Sequence, residues 1–127
     1  MKTTMLALAA GLSLIAVQAS ADVKGQIVNA ETHAGLAAKA TAIDGVHMHL
    51  HHALNCLVGP GGAGFDAKQM NPCAHSGNGA IPDSTDAAKK KSLQAAADKA
   101  ASGIAATDLA TAQKDASETE AMLKPLE

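Results

Sequence analysis

Apolar residues recur at alternating steps of four and three positions along two long stretches of this chain. This spacing is typical of a helix face that packs against another helix, and we call each such row a seam. The first seam consists of Leu36, Ala40, Ile43, His47, Leu50, Leu54 and Leu57. The second consists of Leu93, Ala97, Ala100 and Ile104 and continues, one position out of phase, through Ala105, Leu109, Ala112, Ala116, Thr119 and Leu123. The two seams predict an all-α protein.

Start and stop signals predict how the two seams are joined. Gly59, followed by a proline, is a helix stop, and Asp83 is a good cap for a second helix. Gly103 lies where the second seam slips in phase, so we expect a bend or a change of packing partner there. The predicted fold is a long antiparallel helical hairpin with a first helix over residues 30–58, a glycine-rich loop over residues 59–82 and a second helix over residues 83–123.

The long loop needs something to hold it against the helices. Cys56 and Cys73 are the only cysteines, and in an exported chain two cysteines most simply form a disulfide. This bond would tie the middle of the loop to the end of the first helix. Phe65, the single aromatic residue of the phenylalanine, tyrosine and tryptophan class, is then expected to pack the loop onto the bundle.

The N-terminus has the features of a secretory signal peptide. Lys2 precedes an uninterrupted small and apolar run, and Ala19-Ser20-Ala21 has the small-x-small pattern of a cleavage site. We therefore predict a signal peptide over residues 1–21 and a single mature domain over residues 22–127. The mature protein is expected in the periplasm or outside the cell, with no membrane attachment after cleavage.

The composition restricts the partners and the size of the core. Alanine supplies most of the apolar content, so a two-helix core would be thin, and we predict a homodimer that forms a four-helix bundle. The formal net charge is −2, and all ten basic residues are lysines. With neither a broad basic surface nor aromatic platforms, the chain is not expected to bind nucleic acid.

A dense run of histidines on the first helix predicts a metal site. His47 and His51 are four positions apart, so their rings should lie one helical turn apart and share an ion. Met48 and His52 form a second such pair on another face, and His49 points in a third direction. Two chains would supply four imidazole nitrogens. On a continuous helix His33 lies ~21 Å from His47, too far to bind the same ion.

Other interpretations of these residues remain open. His52 and His75 with the two cysteines would make a zinc site if the sulfurs were reduced. His47 could ligate b-type haem between facing helices, although the alanine seams leave little room for a porphyrin. The histidines could also be incidental in a structural or partner-binding helical module. We expect no enzymatic activity, because the sequence has no nucleophile, paired-carboxylate or phosphate-loop motif.

A family resemblance accompanies these features. The apolar N-terminus, the alanine-rich body and the run His47-Met48-His49-Leu50-His51-His52 make the chain similar to small histidine-rich periplasmic metal-binding proteins. The resemblance implies a helical bundle that sequesters or delivers a transition metal, with copper favoured over zinc and nickel. The histidines are clustered here rather than distributed, which favours one defined site over high-capacity buffering.

Overall fold

The computed structural model describes residues 20–127, and these residues contain helices and no strand. The helices are α1 (Val23–Lys39), α2 (Ile43–Val58), α3 (Ala80–Asp83), α4 (Ala87–Ala105) and α5 (Leu109–Leu123), followed by a 3₁₀ turn (Lys124–Leu126). The predicted all-α class is confirmed. The signal peptide predicted for residues 1–21 lies, except for its last two residues, outside the described part of the chain.

Local capping explains where most of these helices start. The side chains of Asp22, Asp86 and Asp108 accept hydrogen bonds from backbone N–H groups in the first turns of α1, α4 and α5. Each bond satisfies a donor that has no partner within its own helix. At the end of α2, Gly59 has a φ of 68°, and a Cβ there would overlap the Asn78 carbonyl. The predicted glycine stop is therefore a site where only glycine fits.

Each of the two long helices predicted from the seams is divided into two in the structure. Ala40 and Ala42 are extended between α1 and α2, and Ala106 and Asp108 are extended between α4 and α5. Neither turn contains glycine or proline, and the one local signal in them is Asp108, which caps α5. Tertiary packing decides both turns, because a chain reversal lets each hairpin bury its own alanine-rich face. The predicted bend at Gly103 is in fact a reversal that begins at Ala106.

The helices α1, α2, α4 and α5 form an up-down-up-down four-helix bundle within one chain. In the ring of neighbours, α1 packs on α2 and α5, and α4 packs on α5 and α2. The buried core consists largely of small and aliphatic residues, including Ile27, Ala30, Ala34, Val46, Leu50, Leu57, Leu93, Ala96, Ala100, Ala112, Ala116 and Leu123. The bundle that was predicted to need two chains is complete in one. The two-helix core on which the homodimer prediction depended is a four-helix core in one chain, and self-association stays a prediction.

The two hairpins, α1–α2 and α4–α5, correspond position by position at a constant offset of 66 residues. The equivalent core positions are Ile27 and Leu93, Ala30 and Ala96, Ala34 and Ala100, Ala37 and Gly103, Val46 and Ala112, Leu50 and Ala116, Ala53 and Thr119, and Leu57 and Leu123. All of these residues are buried. The core therefore has two equivalent halves built from different side chains.

Hydrogen bonds between the hairpins follow the same correspondence. Gln113 Nε2 on α5 donates to the Ala40 carbonyl in the first turn at 2.8 Å. At the equivalent positions, His47 Nε2 on α2 lies 3.0 Å from the Ala106 carbonyl in the second turn. Since a carbonyl can only accept, His47 Nε2 carries the proton. This reciprocal exchange is what an approximate twofold relation between the hairpins produces.

The long loop is fixed to the bundle at several points. The predicted Cys56–Cys73 disulfide is present and joins the end of α2 to the loop. Next to it, buried Asn55 donates to the carbonyls of Asp66 and Met70 and accepts from the Asp66 N–H. Phe65 packs against the core as predicted. The loop is thus held by a covalent bond and by a fully used amide side chain.

Candidate metal centre

Three histidines from two helices meet on the face where α1 packs against α2. His33 lies on α1, and His49 and His52 lie three positions apart on α2. One ring nitrogen from each comes within 4.8 Å of the other two. The closest approach is 3.3 Å, between His33 Nδ1 and His49 Nδ1. We call this group the histidine triad.

The spacing of the triad suits coordination of a single ion. With metal–nitrogen bonds of about 2.0–2.1 Å, neighbouring ligands of a tetrahedral ion are about 3.3 Å apart. The His33–His49 nitrogen pair already has this separation. The nitrogens of the remaining pairs lie within 4.8 Å of each other. Side-chain rotations that move these nitrogens by on the order of 1 Å would bring all three to ligand distance of one ion. The triad therefore fits three ligands of a four-coordinate ion.

Burial keeps two rings of the triad, His33 and His52, in the form that binds metals. Burial, with the neighbouring His52 and His49, lowers the pKa of His33 from 6.5 to about 4. The pKa of His52 is lowered by burial and by the nearby His49 and His51 rings. At neutral pH these imidazoles are therefore uncharged, as ligation of a metal requires.

One nitrogen of the triad lacks any protein partner. His52 is only 4% exposed, and its buried Nδ1 makes no hydrogen bond. A buried polar atom without a partner costs about 1–3 kcal/mol. A metal ion or a water molecule that contacted Nδ1 would remove part of this cost. The hydrogen bond between His33 and His49 does not reduce the cost of the unpartnered His52 nitrogen.

The second hairpin shows what a purely structural group looks like at the same place. At the offset of 66 residues, the triad positions are occupied by Lys99, Asp115 and Glu118. Lys99 Nζ lies 2.9 Å from Glu118 Oε2 and 3.4 Å from Asp115 Oδ1. In this group one ammonium is paired with two carboxylates. The triad, by contrast, brings three metal-ligating rings together with no carboxylate among them.

The residues predicted as the core of the site lie elsewhere. His47 is used by the Ala106 carbonyl, and His51 Nδ1 lies 3.8 Å from Asp66 Oδ2. Met48 is 41% exposed on the outer side of α2. Of the five predicted ligands, the triad contains His49 and His52. The reason is geometric: rings four positions apart share a helix face, but His47 and His51 are drawn to different partners.

The two alternative sites also find different surroundings. Cys56 and Cys73 are bonded to each other, so no thiolate pair is available to zinc, and His75 is exposed outside the triad. The zinc site built on these cysteines is therefore wrong. For the haem alternative, His47 was the expected axial ligand, and its Nε2 is occupied by the Ala106 carbonyl.

The sequence-based prediction excluded His33, which the structure places in the triad. The exclusion assumed one continuous helix through residues 33–47, whereas the turn at residues 40–42 folds α1 back beside α2. The spacing of His49 and His52 was a usable signal, because residues three apart also share a helix face. His33 could have been found only by recognising the turn.

No protein family, curated protein or solved structure matches the chain. Among the described residues, no helix combines the length and apolarity needed to cross a bilayer. The functional inference therefore depends on the geometry of the triad alone.

Proposed function

We propose that this protein binds one transition-metal ion at His33, His49 and His52. The observation that carries the proposal is the convergence of three imidazole nitrogens within 4.8 Å, from two helices separated by a turn. Three nitrogen donors suit zinc, nickel and oxidised copper. No cysteine sulfur joins this set. The three nitrogens are compatible with copper, which the resemblance favours, but they do not distinguish copper from zinc or nickel.

The competing function is a helical module whose histidines only stabilise the fold. The hydrogen bond between His33 and His49 is what such a module would use. It does not account for the unpartnered nitrogen of His52. The group at the equivalent place in the other hairpin does the structural task with ion pairs between one lysine and two carboxylates. Both observations favour a bound ion.

The biological role we propose is metal sequestration or delivery in an oxidising compartment. The Cys56–Cys73 disulfide supports a location outside the reducing cytoplasm, in agreement with the proposed signal peptide. We favour binding over catalysis because neither of two pockets among the described residues, where a substrate could fit, adjoins the triad. One, of about 450 Å³, lies between the loop and α4, and the other lies around the start of α4. Neither is lined by a histidine of the triad.

Titration calorimetry with zinc, nickel and copper(II) tests this proposal. Wild-type protein freed of metal with a chelator should bind one ion per chain. His33→Ala, His49→Ala and His52→Ala should each weaken binding by more than 100-fold, since even the loss of a residue that only supports a ligand typically costs 10–100-fold. At an ion concentration of 100 times Kd, binding should stabilise the fold by about 2.7 kcal/mol.

His75→Ala is the matched control, because it removes an exposed histidine that lies outside the triad. Its affinity should equal that of the wild type. If the three triad variants remain folded by circular dichroism and bind zinc as tightly as His75→Ala, the triad is not the site. If the Kd for each of the three metals is weaker than about 10 µM, the structural module is favoured.

A further inference from the structure

The triad offers three ligands where a closed site needs four. Structural zinc sites are usually closed by four protein ligands, and sites with three keep a position for an outside ligand. Among residues 20–127, no other histidine, cysteine, aspartate or glutamate joins the group. The ion proposed above would therefore be left with an incomplete shell.

The donors closest in sequence to the triad lie outside it. His51, adjacent to His52, faces the Asp66 carboxylate at 3.8 Å. Cys56, one helical turn after His52, is held in the disulfide. His47, two positions before His49, donates to the Ala106 carbonyl at 3.0 Å. None of the three offers a ligand atom within 4.8 Å of all the triad nitrogens.

The triad is accessible from one side. His52 is buried, whereas His33 and His49 are each half-buried. An ion held by the three rings thus has protein on the His52 side and solvent on the other. The half-buried side is where an incoming ligand can reach the fourth position.

We propose that the metal bound by the triad keeps one coordination position for an external monodentate donor. At rest the donor is water, and a small anion or a single donor atom of another molecule replaces it. This inference depends on the proposed metal site and adds how the ion is exchanged. A metal ion that binds a donor of another molecule before it dissociates from the triad can be transferred to that molecule without entering free solution.

The test uses cobalt(II) in place of zinc, because the visible spectrum of cobalt reports its ligands. Metal-free full-length mature protein is loaded with one cobalt per chain and titrated with sodium azide. The expected result is a tetrahedral cobalt spectrum whose bands shift along a single saturable curve, with one azide per cobalt. A cobalt spectrum that azide leaves unchanged would overturn the proposal while leaving the metal site intact.

Two further measurements keep the outcomes separate. If no cobalt spectrum forms and His52→Ala behaves as the wild type, the metal site itself fails. Met48 carries a thioether next to His49 in the sequence, so Met48→Leu is loaded in the same way. An unchanged spectrum and an unchanged azide response are expected. A spectrum already altered without azide would identify Met48 as the fourth ligand and would contradict an open position.

Discussion

His33 is the residue whose environment most affects the pH dependence of the fold. Its pKa is about 4 in the folded protein and 6.5 when exposed, because burial and the neighbouring rings disfavour the charged form. Between these values the unfolded chain binds a proton that the folded chain does not. The free energy of unfolding therefore rises with pH across this window, and stability falls as the pH drops from 6.5 towards 4.

The first prediction concerns this dependence in the metal-free protein. His33→Gln should flatten the rise between pH 4 and 6.5 by about 2 kcal/mol, below the full linkage value because the ring is partly in contact with water. Urea denaturation followed by circular dichroism at several pH values, with chelator present, measures it. The exposed His75→Gln variant should keep the wild-type slope. An unchanged slope in His33→Gln would mean that His33 is not held neutral by the fold.

Gly103 lies on α4 where the second hairpin packs closely against Leu50 of the first. A Cβ there would lie 2.6 Å from Leu50 Cδ1 and 3.1 Å from Asp115 Cβ. Leu50 is fully buried and has little room to move. Gly103 is therefore needed for close packing, which explains why a helix tolerates glycine three residues from its end.

The second prediction follows from this contact. Gly103→Ala should destabilise the protein by about 1–2 kcal/mol, because overpacking outweighs the gain in helix propensity. Gly61→Ala is the matched control, since nothing lies within 4 Å of a Cβ at that position. It should change stability by less than about 0.5 kcal/mol. Urea denaturation compares the two, and equal stabilities would refute the close packing at Gly103.

At the scale of helices and turns, both chain reversals are held by a side chain from the opposite hairpin. Gln113 binds the first turn through Ala40, and His47 binds the second through Ala106. These bonds supply what the turns lack locally, since neither contains a glycine or proline. They also give His47 a structural task through its Nε2.

The third prediction separates that task from metal binding. His47→Ala and Gln113→Ala should each lower the free energy of unfolding by about 1 kcal/mol, the net value of one hydrogen bond. Both should bind zinc as the wild type does, whereas His49→Ala should not. Calorimetry and urea denaturation on the same samples provide the two readouts. A loss of zinc affinity in His47→Ala but not in Gln113→Ala would restore His47 as a ligand.

The loop belongs to the same scale, and its disulfide supports the fold without entering the metal site. The fourth prediction is that Cys56→Ser combined with Cys73→Ser loses about 3 kcal/mol, because the bond closes a separation of 17 residues. The folded variant should still bind one zinc through the triad. Loss of binding in a variant that stays folded by circular dichroism would place sulfur in the site.

At the scale of the whole molecule, the two corresponding hairpins allow the triad to be compared with the equivalent group in the same protein. The histidine triad and the group of Lys99, Asp115 and Glu118 occupy equivalent places. In the second group the Glu118 carboxylate, followed by Asp115, raises the pKa of Lys99, as expected for a stable ion pair. The bundle therefore accepts either kind of group at this place, and the choice of side chains determines what the place does.

The fifth prediction exchanges the two groups. A chain with Lys99→His, Asp115→His and Glu118→His should bind two zinc ions instead of one, since the backbone offers the same geometry twice. The reverse exchange, His33→Lys, His49→Asp and His52→Glu, should bind none and should stay helical. Calorimetric stoichiometry and circular dichroism measure both. One zinc per chain in the first variant, when it is folded, would contradict the equivalence of the hairpins.

Much of the architecture follows from the sequence by itself. The apolar seams determined the helical class, because their spacing matches the turn of a helix and no other element. Two cysteines determined the disulfide, and Gly59 determined the end of α2, because its backbone angle and the nearby Asn78 carbonyl exclude a side chain. The run of histidines on α2 indicated a metal site and contains two of the three histidines that could hold an ion.

Only the tertiary structure decided which histidines meet. The turn at residues 40–42 consists of residues that a helix would tolerate, and in the turn at residues 106–108 the one local sign is Asp108, which caps α5. They form because folding back buries the alanine faces of each hairpin against its partner, a gain that depends on the whole bundle. The first turn brings His33 beside His49 and His52, and the reciprocal hydrogen bonds at the turns hold His47 away from them. Contacts between distant segments, rather than spacing along one helix, thus define the site.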